Sequence, residues 1–368
     1  MKITTVTDNI TALQVQAYTI PTDYPESDGT LQWDHTTLVL VELQAQGRTG
    51  TGYTYANAAT AAFIHSTLRP LLIGQHPQQT ARLYESMCAA IRNEGNCGMA
   101  RMALSAVDNA LWDLKAQLLD MPLCRLLGQV RDEALLYGSG GFTSYPQQRL
   151  AAQLGAWAQQ GFTAVKMKIG RDAAKDVQRV STARHAIGDK LQLFVDANGA
   201  YTTRQSLAQI KKFSEYNISW FEEPVSSGNL EGLRFVREHT TEAINIAAGE
   251  YAYTPVDFLN MLQHQAVDVL QADVTRCGGI TGFLKAAALC DTFEVPLSFH
   301  CAPAQHLHVA LAVPRFYIGE YFHDHARIEQ LLFDNVPLPE NGALKPDLSV
   351  NGAGLIFKHR DAVQYKVS

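Results

Sequence analysis

Long apolar runs, a basic excess and paired cysteines are all missing from this chain. No segment approaches the roughly 18 consecutive apolar residues that a membrane-spanning helix requires. Lys and Arg number 30 against 36 Asp and Glu, a formal charge of −6, so the basic surplus of a phosphate-tracking nucleic-acid binder is absent. Neither nucleic acid nor membrane is an expected partner. The six cysteines (Cys88, Cys97, Cys124, Cys277, Cys290 and Cys301) are scattered without C-x-x-C spacing. They read as reduced thiols of a cytoplasmic protein, not as a disulfide framework. Met1-Lys2-Ile3-Thr4-Thr5 leads into alternating apolar and polar residues, unlike a secretory signal. Gly138-Ser139-Gly140-Gly141 lacks both the G-x-G-x-x-G spacing and the lysine of a phosphate loop, so it reads as a flexible loop. No G-x-S-x-G nucleophile elbow occurs. His306, His308, His323 and His325 have no H-E-x-x-H pattern and no cysteine at finger spacing, and zinc is not expected from them.

What is present is an ordinary globular composition, 46% hydrophobic and 18% charged, in two textures. Residues 1–130 hold a β-rich run, Thr37–Leu43, then Gly52–Tyr55, then helical patterns, the clearest from Met99 to Leu119. That order suggests a small α+β unit. From Glu133, eight short apolar runs alternate with helical stretches: Ala134–Tyr137, Ala164–Ile169, Leu191–Asp196, Ile218–Glu222, Ile244–Ala248, Val267–Ala272, Pro296–His300 and Phe316–Gly319. Such alternation predicts an α/β fold, a (β/α)8-type barrel over residues 131–320. A barrel of about 250 residues leaves roughly 118 of the 368 unexplained. The tail, residues 321–368, reads as loops with a final short strand. Together with residues 1–130 it is expected to form a capping domain over the barrel mouth.

Barrel chemistry sits at the C-terminal strand ends. Alternation puts Lys166 and Lys168 on one face of their strand, opposite Val165, Met167 and Ile169. The next three strands end in carboxylates: Asp196, then Glu222-Glu223, then Glu250. Three carboxylates on a rigid frame suit a hard divalent cation, although composition does not choose between Glu222 and Glu223. Asp273 and His300 end neighbouring strands and can form a dyad in which the acid orients the imidazole. Glu320 ends the eighth.

The ordered set Lys166-Met167-Lys168, Asp196-Ala197-Asn198, Phe221-Glu222-Glu223-Pro224, Gly249-Glu250, Asp273 with Gly278-Gly279, His300 and Glu320, after the helix Gly98–Gly128, resembles the enolase superfamily, mandelate racemase subgroup. The resemblance spans essentially the whole chain. It implies one Mg²⁺ held by Asp196, Glu222 and Glu250, and so selects Glu222. Lys168, with Lys166 beside it, is implied as a base on one face of a small carboxylate substrate, and His300 with Asp273 as acid/base on the other. Glu320 is implied to hydrogen-bond to the substrate carboxylate, and Asn198 to position it. Asp273 stands where the muconate-lactonizing subgroup would present a lysine. The implied first step is abstraction of the proton α to a carboxylate, giving a metal-stabilised enediolate. The favoured outcome is dehydration of an acid sugar to a 2-keto-3-deoxy acid, in a cytoplasmic homo-oligomer. Racemisation or epimerisation of a 2-hydroxy acid by the same Lys/His pair is the alternative, and a non-catalytic metabolite-binding barrel a remote one. Residues 17–35 are read as a specificity loop over the mouth, with Tyr18, Tyr24 and Trp33 as substrate contacts.

Overall fold

The computed structural model describes residues 8–367. Its first sheet is antiparallel: β1 (Ala12–Ser27), β2 (Gln32–Ala45) and β3 (Arg48–Tyr55) pair in chain order. The run Leu38–Val41 is apolar without alternation because both faces of this sheet are covered. Val39, Val41 and Leu43 pack with residues of the helix Gly98–Leu118, while Leu38 and Leu40 pack with Leu332, Phe333 and Phe357 of the C-terminal segment. The tail is tied in at its end, where the Val367 N–H donates to Ala17 O at 2.9 Å.

Eight parallel strands follow: β4 (Ala134–Gly140), β5 (Ala164–Lys168), β6 (Gln192–Asp196), β7 (Ile218–Glu222), β8 (Asn245–Ala248), β9 (Val269–Ala272), β10 (Leu297–Phe299) and β11 (Phe316–Phe322). Each pairs with the next, and β11 pairs with β4 to close the barrel. Val165, Met167 and Ile169 face the surrounding helices, as alternation predicts, whereas Tyr137, Phe194, Trp220, Val269 and Ile318 plug the interior. The parallel (β/α)8 barrel with an antiparallel N-terminal capping sheet is therefore the observed fold. Among the described residues, no helix is long and apolar enough to cross a membrane.

Three local expectations are corrected. Residues 17–35 are not a loop but most of the β1–β2 hairpin, because Ala17–Pro21 pair with His35–Val39 in regular register. Gly138–Gly140 are not a flexible loop but the buried end of β4; the glycines let neighbours close in, and a Cβ on Gly138 would meet Trp157 at 2.4 Å. The tail does not begin as loop, since β11 continues to Phe322 and the helix His323–Leu332 follows directly.

The helix Gly98–Leu118 also grips the barrel. Asp108 accepts from both the N–H and the hydroxyl of Thr281 at 2.8 Å, Asn109 donates to Val274 O and accepts from Ile280 N–H, and Ser105 accepts from Gly278 N–H. Gly278 and Gly279 turn through φ +96° and +67°, and a Cβ on Gly279 would lie 2.5 Å from Asp108. Glycine is needed there for both conformation and space.

His308, on the helix Pro303–Ala310, pins three segments together. Its Nδ1 accepts from Cys124 N–H at 3.1 Å and its Nε2 lies 3.2 Å from Ala353 O, so Nε2–H donates there. Burial lowers its pKa to about 4, opposed by the bond to Ala353. As pH falls below the ordinary value of 6.5 the unfolded chain takes the proton first, so this stability is full above 6.5 and is lost toward pH 4. The loss is at most about 3 kcal/mol. Urea unfolding at pH 7 and pH 5 should show His308→Gln flattening the acid-side slope; an unaltered slope would mean this imidazole is not held neutral.

Candidate active site

The strand ends converge on the face covered by the cap. Lys166 and Lys168 point inward from β5, and both are buried. Lys166 Nζ donates to Glu222 Oε1, lies 2.9 Å from Glu320 Oε1 and 3.4 Å from Asp196 Oδ2, and sits over the Tyr137 ring. Burial alone would push its pKa down, but Glu222 and Glu320 hold it well above the usual lysine value. Lys168 Nζ lies 2.5 Å from Asp196 Oδ2. Burial opposes its charge, Asp196 outweighs burial and raises its pKa, and Lys166 acts the other way.

Asp196, Glu222 and Glu250, at the ends of three successive strands, offer oxygens that all lie within 4.8 Å of one another. Trp220 Nε1 and Gln271 Nε2 each donate to Glu222 Oε2 at 3.0 Å. Asp196 Oδ1 takes the Asn198 N–H at 2.9 Å. Glu250 Oε2 is buried and has no hydrogen-bond partner. Burial, then Asp196, pushes the Glu222 carboxyl well above the usual carboxylate range, while the two lysines outweigh burial and hold Asp196 down at about 2. An all-oxygen donor set, wholly buried, with one oxygen unsatisfied, fits a hard divalent cation. Glu222 thus stands in the cluster, as the family resemblance implied.

Across the mouth, Asp273 Oδ2 accepts from His300 Nδ1 at 2.7 Å, and Asp273 Oδ1 takes the Thr275 N–H at 2.7 Å. This leaves His300 Nε2 facing Glu250 Oε2 at 3.3 Å. Burial acts against the Asp273 charge, but His300 outweighs it and keeps the carboxylate strongly acidic. Glu320 Oε2 accepts from Cys301 N–H at 2.8 Å.

A cavity of about 690 Å³ opens above these groups, lined by Lys168, Asn198, Glu250 and His300 from the barrel and by Trp33, Thr36, Tyr55 and Asn57 from the cap. Lys166, Asp196, Glu222 and Glu320 lie beneath this lining. Trp33 is placed in the wall, edge-on to Phe142. The other two expected cap contacts are not brought there. Tyr18 packs on Phe357 with the tail, and Tyr24 lies against Tyr145 beneath the Arg149 guanidinium. Both expectations rested on the loop reading, and regular strand pairing turns Tyr18 away.

Three neighbours escaped the sequence reading. Ser139 donates to Glu320 Oε1 at 2.6 Å, Gln271 supports Glu222, and Arg276 Nη1 donates to Glu250 O at 3.0 Å with Nε 3.7 Å from Asp273 Oδ2. Ser139 and Gln271 share the inward parity of Tyr137 and Val269, so a polar residue at an inward barrel position was the available signal.

Comparison with known proteins agrees with this geometry. The family model "Mandelate racemase / muconate lactonizing enzyme, N-terminal domain" matches residues 14–128, and "Enolase C-terminal domain-like" matches residues 149–360. The chain is 35% identical over 286 residues to a 3,6-anhydro-alpha-L-galactonate cycloisomerase of Streptomyces coelicolor, covering 75% of this chain and 78% of that one. A mandelate racemase/muconate lactonizing enzyme-like protein from Rubrobacter xylanophilus superposes with TM-score 0.96 at 50% identity, over 98% of this chain and 100% of that one. An L-talarate dehydratase from Polaromonas sp. JS666, complexed with Mg and L-glucarate, superposes at 0.88 with 29% identity, over 98% and 99%.

Ser139→Ala deletes one oxygen yet leaves a buried carboxylate short of a donor. It should lower the urea unfolding free energy by about 1–3 kcal/mol; an unchanged midpoint would show that Glu320 is satisfied without it.

Proposed function

Because the chain belongs to the mandelate racemase/muconate lactonizing enzyme family of the enolase superfamily, we propose that it is a Mg²⁺-dependent hydro-lyase acting on an acid sugar. The substrate loses the proton α to its carboxylate, then its β-hydroxyl as water, and the resulting enol becomes a 2-keto-3-deoxy acid. The observation that carries this reading is that Lys168 and His300 line the same cavity, with Glu250 of the carboxylate cluster beside the imidazole and Asp196 beside Lys168.

Asp196, Glu222 and Glu250 would hold the cation. Mg²⁺ there would supply positive charge against the anion forming on the substrate carboxylate and offset the Asp196 charge that otherwise keeps Lys168 protonated. Lys168 is the base that takes the α-proton. His300, oriented by Asp273 so that Nε2 faces the cavity, gives a proton to the departing β-hydroxyl and releases it as water. Lys166, fixed beneath the lining by three carboxylates, Glu320 among them, contributes a permanent positive charge, and Asn198 orients the carboxylate end. Thr36, Thr37 and Asn57 line the space and offer hydrogen-bonding groups to a polyhydroxylated acid.

The cycloisomerase relative favours one further outcome from the same pair, expulsion of a ring oxygen in place of a hydroxyl. Incubation with a panel of acid sugars in D₂O distinguishes the readings. Dehydration gives keto acid, ring opening gives an open-chain product without loss of water, and racemisation gives α-deuteration with inversion. Lys168→Ala and His300→Ala should each lower keto-acid formation by about 10³-fold or more while the fold is retained; activity surviving both changes would overturn the assignment.

A further inference from the structure

One cluster of metal-ligating side chains lies away from the barrel triad. The β1–β2 ladder slips between the pairs Pro21–His35 and Glu26–Trp33, so residues 22–25 bulge. Asp23, in the bulge, meets His323 at the start of the helix after β11, with Nε2 3.2 Å from both carboxylate oxygens. Glu26 completes the group, and one ligand atom from each residue lies within 4.8 Å of the others.

Glu26 is the telling member. It is fully buried, its Oε2 accepts from Trp33 Nε1 at 2.9 Å, and its Oε1 is buried with no hydrogen-bond partner. Leaving a carboxylate oxygen unsatisfied inside a protein is costly. Burial, reinforced by Asp324, pushes its pKa up to about 9. Asp23 keeps its charge: burial opposes it, but His323 and Arg149 outweigh burial and lower its pKa. The side chains of His323 and Asp23 are 24% and 38% exposed, so the cluster opens to solvent on one side.

We propose that Asp23, Glu26 and His323 form a second divalent-cation site, for an ion of the Zn²⁺ class, that ties the cap hairpin to the end of the barrel. One imidazole with two carboxylates matches the mixed nitrogen and oxygen preference of Zn²⁺, whereas the barrel triad, all oxygen, matches Mg²⁺. Ligand atoms of a tetrahedral Zn²⁺ stand about 3.3 Å apart, and the Asp23–His323 pair already has that spacing. Three protein ligands leave a fourth position for water. Arg149 Nη2, 3.0 Å from Asp23 Oδ2, competes for that carboxylate; a partly exposed ion pair of this kind is weak against the contribution of a bound cation. The helix-start position of His323 hides this site from spacing rules, because its partners come from the other end of the chain. Through Glu26 the ion would also hold Trp33, and so one wall of the cavity.

The test is equilibrium dialysis against Zn²⁺ in excess Mg²⁺, with metal counted by elemental analysis. Asp196→Asn, which disables the barrel triad, should bind one Zn²⁺ per chain, and adding His323→Ala should abolish it. Asp23→Asn should weaken it by about tenfold or more. His323→Ala alone should bind one ion fewer than the unaltered chain. Zn²⁺ retained by the Asp196→Asn/His323→Ala protein, or none bound by folded Asp196→Asn, would overturn the site. Neither result bears on the barrel chemistry.

Discussion

Lys166 is wholly buried, and it is tolerable only because Glu222, Glu320 and Asp196 surround its ammonium group. That ion cluster is the constraint on which the molecule depends. Six carboxylates, Asp196, Glu222, Glu223, Glu250, Asp273 and Glu320, are buried at the mouth against the two lysines, with Arg276 at their edge. The surplus of negative charge cannot be met by these cations alone, and burial with mutual repulsion drives Glu222 and Glu223 well above the usual carboxylate range. A closed barrel can hold such an arrangement because its backbone is paired on all sides and leaves the strand ends little freedom to move apart. That charge balance fits a divalent cation among Asp196, Glu222 and Glu250, before any substrate is considered.

The cap is more than a lid laid on this cluster. The helix Gly98–Leu118 carries the capping sheet on one side and, through Ser105, Asp108 and Asn109, fixes the loop that leaves β9. That loop carries Asp273 and Arg276, so the orientation of His300 depends on contacts made by the N-terminal part of the chain. Thr54 makes the same connection from β3, donating to Thr275 O at 2.7 Å. Cap and barrel share their site at the level of single hydrogen bonds.

The barrel was legible because period and position coincide. Each apolar run is short, most have a charged side chain or a histidine at or within two positions of their end, and alternation puts Lys166 and Lys168 on one face of their strand. The carboxylates at the next three strand ends were legible for the same reason, but the choice of Glu222 over Glu223 came only from the family resemblance. What escaped depended on distant pairing. Tyr18 reads as a substrate contact on a loop over the mouth, yet strand pairing and the returning tail bury it. Ser139 sits among glycines that mimic a loop, though they are small because Trp157 presses against the strand. His323 looked like tail sequence because only β11 extending to Phe322 makes it the first residue of a helix. Local pattern marks what a strand end presents; it does not say which remote segment will cover it.

The central claim, that this charge surplus binds a divalent cation on Asp196, Glu222 and Glu250, is tested most directly by unfolding. Chelator-treated protein should gain several degrees in its thermal midpoint when Mg²⁺ is restored, since a ligand at about 100 times its Kd adds roughly 2.7 kcal/mol, and Asp196→Asn should gain nothing. A midpoint indifferent to Mg²⁺ in the unaltered chain, or an equal gain in Asp196→Asn, would contradict it.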